Sequence, residues 1–122
     1  MPYLLAAGYI WLHGNLPTEL GLMTALVTGG SEKGWDGWDS FVRDAGLTGT
    51  VPTQLGHLTA FASSLNLASN KYTGPIPTEL GRMTAMKSEV HFDTNSLSSR
   101  VPTELGMMSM MTDIFRVHYN RL

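Results

Sequence analysis

Five ionisable side chains stand at a spacing that chemistry can use. Glu89, His91 and Asp93 alternate with Val90 and Phe92, and Arg116 and His118 follow His91 and Asp93 at a distance of 25 positions, separated by Val117. On an extended strand, residues two apart share a face. Each segment therefore turns its polar groups to one side and its apolar groups to the other. If two such strands lie side by side at about 4.8 Å, Asp93 stands beside His118 and His91 beside Arg116. That arrangement suits a polar recognition patch with a histidine-centred, pH-sensitive element. His91, Asp93 and His118 are also ligand types for a divalent metal, but tetrahedral closure needs a fourth ligand and supporting hydrogen bonds, so no metal is assigned. The ordinary reading of the same residues is a solvated sheet face with ion pairs worth about 0–1 kcal/mol each.

A second candidate is the run from Ser31 to Ser40. Here Trp35 and Trp38 stand three apart, each followed by Asp. Two such rings could form an aromatic platform for a sugar or a peptide. Glu32, Asp36 and Asp39 suggest calcium, but the EF-hand loop pattern is absent. Large rings seldom stay in water without a partner, so the ordinary reading folds both over the edge of the domain. Thr18, Thr53, Thr78 and Thr103 each follow a proline, and Thr24, Thr59 and Thr84 make a second file. A flat threonine file could match an ice lattice. Threonine also simply suits extended, half-exposed backbone, and Glu79 and Glu104 charge the surface beside it. No Gly-x-Ser-x-Gly, phosphate loop or His-Glu-x-x-His motif is present. His13 and His57 sit at turn positions without an obvious nucleophile, and no Ser, His and Asp spacing assigns triad roles. The expectation is a protein that is not an enzyme and needs no cofactor.

Composition narrows the partner class. The 122 residues suit one domain, and eight Lys and Arg against ten Asp and Glu give a charge of −2. That balance leaves no electrostatic case for nucleic acid or an anionic membrane surface. With 43% hydrophobic and 15% charged residues, the chain does not read as disordered. Cysteine is absent, which excludes disulfides, zinc–thiolate sites and a thiol nucleophile. The longest apolar stretch, Tyr3 to Leu12, is about half of the roughly 20 residues that a membrane span needs. It also lacks the basic residues that precede a signal-peptide core.

The elements that must position these residues come from a repeat. The hexamer Leu16 to Gly21 recurs as Val51 to Gly56, Ile76 to Gly81 and Val101 to Gly106, at steps of 35, 25 and 25 residues. Leu65, Val90 and Phe115 fall in phase, as do Leu67, Phe92 and Val117, and Asn70, Asn95 and Asn120. Leu65-Asn66-Leu67 alternates with period two and reads as a short strand with both leucines inward. An asparagine at the same point of every turn can bond the open backbone groups of adjacent turns. Gly49 and Gly74 permit a tight bend, while Pro52, Pro77 and Pro102 discourage a second regular strand. One unit cannot bury its own apolar face, and stacked units share a continuous core.

The segment Leu67 to Met83 resembles the plant-type leucine-rich repeat, Leu-x-x-Asn-x-Leu-x-Gly-x-Ile-Pro-x-x-Leu-Gly-x-Leu, with Tyr72 at one Leu position. Four copies of Pro-Thr-Glu/Gln-Leu-Gly support the resemblance over roughly residues 12 to 122. It implies an α/β repeat solenoid, a right-handed coil with a short parallel sheet on the concave side and 3-10 or extended segments on the convex side. It also implies a protein- or peptide-binding role. The unit is one residue longer than the ~24 of the family, with the extra residue between Phe61 and Leu65. Ser99 replaces an expected glycine, Ala45 stands where Asn should be, and Phe41-Val42-Arg43 is the remnant of the first strand.

On this reading a single domain fills 1–122: an apolar cap over 1–11, an irregular first repeat over 12–46 with an insertion at 31–40, regular repeats over 47–71 and 72–96, and a truncated last repeat over 97–122. The expected partner-binding residues are Asn66, Glu89, His91, Asp93, Arg116 and His118 on the concave face, with Trp35 and Trp38 on the rim. Phe115 and Val117 have no following coil to cover them, so self-association through the open ends is expected beside a protein or peptide partner. The rival readings are a structural segment of a larger receptor-like protein, and an ice- or carbohydrate-binding surface.

Overall fold

The computed structural model describes residues 14–16, 18–22, 44–62, 64–112 and 114–122. The expected cap over 1–11, the insertion carrying Trp35 and Trp38, and Phe41-Val42-Arg43 lie outside the described residues. Seven short strands follow in chain order: β1 (Gly14–Asn15), β2 (Leu47–Thr50), β3 (Leu65–Asn66), β4 (Lys71–Gly74), β5 (Val90–His91), β6 (Ser96–Leu97) and β7 (Phe115–Arg116). Between them, 3-10 turns span Thr18–Leu22, Thr53–His57, Thr78–Arg82 and Thr103–Met107. The last three each begin just after a proline in extended conformation, with φ between −62 and −64°. Proline pre-sets that φ and lacks an N–H, so it opens the turn without losing a bond.

Strands β3, β5 and β7 form one parallel sheet. Leu65, Val90 and Phe115 stand side by side, and so do Asn66, His91 and Arg116. This is the sheet that period-two alternation predicts, in the expected register. A second parallel sheet, ordered β1-β2-β4-β6, corrects the expectation that the prolines leave no regular strand on their side of the coil. Strands β2 and β4 end at Thr50 and Gly74, ahead of Pro52 and Pro77. The prolines terminate these strands rather than prevent them. β1 pairs directly with β2, and the 3-10 turn at Thr18–Leu22 stacks on the one at Thr53–His57. The 35-residue step therefore still brings the first hexamer against the second.

The corner between the sheets is held by asparagine. Asn95 Oδ1 accepts from the Tyr72 N–H at 3.1 Å, and its Nδ2 donates to Leu67 O at 2.9 Å and Phe92 O at 3.1 Å. Asn120 repeats this on Leu97 N at 3.0 Å and Phe92 O at 2.9 Å, and Asn70 accepts from Leu47 N at 3.0 Å and Ala45 N at 3.2 Å. Each side chain closes its own corner and satisfies backbone groups of the preceding coil that would otherwise be buried without partners. One residue ahead of each asparagine, the backbone enters the left-handed region: Ser69, Thr94 and Tyr119 have φ of 56, 57 and 55°.

The glycine that ends each hexamer marks a close approach of coils. A Cβ on Gly56 would overlap the carbonyl oxygen of Glu79 and lie 2.8 Å from its carbon, and Gly81 meets Glu104 in the same way. At Gly106 nothing lies within 4 Å. The core runs through the coils as Leu47, Leu55, Leu65, Leu67, Tyr72, Ile76, Leu80, Met83, Met86, Val90, Phe92 and Leu97. The last coil is covered on one side. Val101 is 39% exposed where Ile76, one coil earlier, is 1% exposed, and Phe115 and Val117 are only partly buried against the core. Phe115 meets Phe92 edge-on, with ring centres 6.0 Å apart.

Candidate partner-binding face

The ionisable cluster forms on the β3-β5-β7 sheet because consecutive coils are offset by one full repeat. His91 is the centre of the cluster and only 9% exposed. Its Nε2 lies 2.8 Å from Glu89 Oε2, the carboxylate accepting, and its Nδ1 lies 3.9 Å from Asp93 Oδ1. From the next coil, His118 Nε2 stands 3.9 Å from Asp93 Oδ2. The two spacings of 3.9 Å exceed hydrogen-bond length. Asp93 Oδ1 is buried and has no hydrogen-bond partner, although its carboxylate keeps 15% of the side-chain surface. Arg116 is exposed beside His91, and among the described residues it makes no ion pair. Glu89, His91, Asp93 and His118 thus come together as a chain of facing groups, with Arg116 next to it.

Asn66 lies on this sheet in a different role. It is buried, and its Oδ1 accepts from the Ala68 N–H at 3.1 Å, an interaction that holds the strand exit. Ala68 is buried as well. Alternation gives the side to which a residue points but not how deeply its neighbours cover it. Trp35 and Trp38 lie outside the described residues. Among the described residues, no group of three or more His, Asp or Glu side chains is arranged to hold a metal ion.

The threonine file also has a structural role. The hydroxyls of Thr18, Thr78 and Thr103 lie 3.4 Å from the carboxylates of Glu19, Glu79 and Glu104, and Thr53 lies 3.3 Å from the Gln54 side chain. The surface at these turns is therefore carboxylate-rich, unlike the flat, uncharged face that an ice lattice would need.

Two residues on the β7 side stand out only when their phase is compared with earlier coils. Ile114 is 40% exposed where Ser64 and Glu89 stand in the preceding units. Tyr119 is 78% exposed where the sequence has Asp44, Ser69 and Thr94. Its ring meets His118 edge-on, with centres 4.8 Å apart. Both sit at positions that carry polar residues in the earlier coils. Phase comparison of the surface positions, and not only of the core positions, is the signal that finds them.

No family model and no curated protein matches the chain. Solved structures do. The chain is similar to a TDR receptor at a TM-score of 0.70 and 27% identity, over 88% of this chain and 16% of that one. It is similar to the plant peptide hormone receptor RGFR1 in complex with RGF2 at 0.71 and 27%, over 89% and 15%. It is also similar to PEPR1-AtPEP1 at 0.68 and 25%, over 98% and 16%. The chain thus spans about a sixth of the length of the structures it matches. The fold is that of a leucine-rich repeat solenoid, and the resemblance is to the plant, receptor-like type.

Proposed function

We propose that this chain is a non-enzymatic binding module that takes a protein or peptide partner on the concave β3-β5-β7 face. The observation that carries this reading is the last described coil. There Arg116 makes no ion pair among the described residues and stands between Ile114 and Tyr119, an apolar and an aromatic side chain at positions that carry polar residues in the earlier coils. A charged centre with apolar and aromatic flanks is the composition of a recognition surface, in which buried anchors supply affinity and charge supplies partner choice. The similarity to a plant peptide hormone receptor solved with RGF2 supports the same class of partner. Glu89, His91, Asp93 and His118 are the further contact residues, and Asn66 supports the strand from beneath.

The test is selection of peptides from a random 12-residue display library on the full chain, followed by binding to two variants. Arg116→Glu reverses the charge on the proposed face, and Glu104→Lys reverses one at the 3-10 turns. Selected peptides should lose about tenfold or more on Arg116→Glu, as expected when a charge-assisted contact worth about 1.5–3 kcal/mol is removed. They should bind Glu104→Lys unchanged. Equal loss on both variants, or loss only on Glu104→Lys, would remove the concave face as the site.

The second reading is a scaffold segment of a longer solenoid whose site lies on other coils. It is favoured by the 15–16% of the matched structures that the chain spans. A library that yields no peptide sensitive to either variant would favour it.

A further inference from the structure

We infer that the partner presents a basic side chain, Arg or Lys, to the corner formed by Asp93, His118 and Tyr119. This rests on the concave-face reading and names the chemistry that the face selects.

The first observation is the carboxylate. Asp93 Oδ1 is buried without a donor, and the approach to Oδ2 is a histidine nitrogen at 3.9 Å. Among the described residues no Lys or Arg forms an ion pair with it. A mostly buried carboxylate with an unpartnered oxygen is costly, and a charged donor brought from outside to its accessible oxygen offsets part of that cost. Oδ2, toward the exposed His118, is the oxygen that a guest would reach.

The second observation is Tyr119. Its backbone takes the left-handed conformation, with φ of 55°, that this position takes in every described coil. Bulky residues are disfavoured there, and the earlier coils use Asp44, Ser69 and Thr94. The ring gains little from burial, since it is 78% exposed and its ring contact is the edge of His118. His118 lies between the two, its Nε2 3.9 Å from Asp93 Oδ2 and its ring edge-on to Tyr119, so a guanidinium or ammonium that enters at His118 meets a carboxylate on one side and an aromatic ring on the other. The carboxylate takes the N–H donors and the ring face takes the charge.

Arg116 sets the neighbouring requirement. It points to the same side as His118, two residues away, and lies in register with His91 rather than Asp93. A second cation beside it is disfavoured, so the partner should carry an acidic or neutral residue there. Ile114 lies four residues before His118, roughly 13 Å along the strand at 3.3 Å per residue. An extended partner that alternates apolar, acidic and basic side chains on one face matches Ile114, Arg116 and the Asp93–His118–Tyr119 corner in turn.

The experiment uses the peptides selected on the full chain. A consensus peptide is synthesised with a fluorophore, and its binding is measured by anisotropy to wild type, Asp93→Asn and Tyr119→Ser. A second peptide carries citrulline, uncharged and nearly the same shape, in place of the basic residue. The expected result is enrichment of Arg or Lys at one peptide position. Loss of about tenfold is expected on Asp93→Asn, on Tyr119→Ser and on the citrulline exchange. The losses should not add when a variant and the citrulline exchange are combined, because all remove one contact. Tyr119→Ser installs the residue found at Ser69, so it keeps the test valid if Asp93→Asn fails to fold.

Peptides that depend on Arg116 but show no basic enrichment and tolerate citrulline would overturn this inference and leave the concave site standing. Peptides that ignore Arg116 altogether would overturn both. Equal affinity for Tyr119→Ser and wild type would overturn the aromatic half of the corner. If Arg116→Gln strengthened binding of the basic peptide while Asp93→Asn had no effect, Arg116 would be the group that occupies Asp93 in solution, and the inference would fail.

Discussion

Replacing Asn95 by Ala tests whether the asparagine corners hold neighbouring coils together. The side chain makes one contact that nothing else replaces, the bond from the Tyr72 N–H to Oδ1 at 3.1 Å. Its donations to Leu67 O and Phe92 O are shared, since Asn70 Nδ2 also reaches Leu67 O at 3.1 Å and Asn120 Nδ2 reaches Phe92 O at 2.9 Å. Asn95 Nδ2 also donates to Asp93 O at 3.3 Å, which the Ser69 N–H reaches as well, so the variant orphans one backbone donor fully and thins three acceptors. A buried donor without a partner costs about 1–3 kcal/mol, and each lost neutral bond to an acceptor that keeps another donor costs about 0.5 kcal/mol. The sum is about 2.5–4.5 kcal/mol, a large part of the roughly 5–15 kcal/mol that holds a domain folded. At about 3–5 °C per kcal/mol for a chain of this size, the midpoint of a far-UV circular dichroism melt should fall by about 8–20 °C. Amide exchange should lose protection first at Tyr72. Asn120→Ala removes the same kind of bond from Leu97 N, but at the coil with fewer covering atoms, where water can replace it. Its cost should be about half. An Asn95→Ala midpoint within about 3 °C of wild type, with the Tyr72 amide still protected, would refute the idea that this side chain joins the coils.

Two further stability predictions follow from the core. Tyr72 is fully buried and its hydroxyl has no partner among the described residues, so Tyr72→Phe should stabilise the fold by about 1 kcal/mol in a urea titration. Burial also pushes the Tyr72 phenol up from its ordinary value. The folded chain then keeps a proton that the unfolded chain releases near pH 10, so stability is fully present below about pH 10 and falls above it by up to about 1.4 kcal/mol per pH unit. Tyr72→Phe should remove that part of the alkaline slope, and an unchanged slope above pH 10 would count against the burial of this hydroxyl. Gly81→Ala places a Cβ against the Glu104 backbone and should cost about 2–3 kcal/mol or prevent folding. Gly106→Ala meets nothing within 4 Å and should lie within about 0.5 kcal/mol of wild type. Similar melts for the two variants would refute the close approach of coils.

Much of this architecture was legible because the repeat writes the same physical requirement several times. Leu65, Val90 and Phe115 share a phase and do pair side by side, and the asparagines of that phase do bridge the coils. The second sheet was not legible. Strands β2, β4 and β6 are two to four residues long and carry Gly49, Gly74 and several polar residues. Nothing in their local preference announces extended pairing; it arises because stacking brings the same segment of every coil to the same height. Burial at the concave face was legible only in part. Asn66 and His91 were expected on the solvated side of their strands, yet both are buried. Alternation places Ile114 on the outward row with Arg116 and His118, but Tyr119 passed unmarked because it is ordinary alone. They become informative only against Ser64, Glu89, Ser69 and Thr94 at the same phase.

The asparagine corners also set how the solenoid yields to force. Each one reaches backward: Asn70 to Ala45 and Leu47, Asn95 to Leu67 and Tyr72, Asn120 to Phe92 and Leu97. A pull on the end that carries Asn120 loads the clamp of the last coil before any other. When it opens, the corner beneath loses a layer of cover and becomes the next to bear load. Release then proceeds in increments of one 25-residue repeat, each freeing about 85 Å of chain at roughly 3.4 Å per residue. A pull from the opposite end breaks an equivalent set, since Asn70 holds Ala45 and Leu47 by the same kind of bonds, so the ladder yields coil by coil from either side.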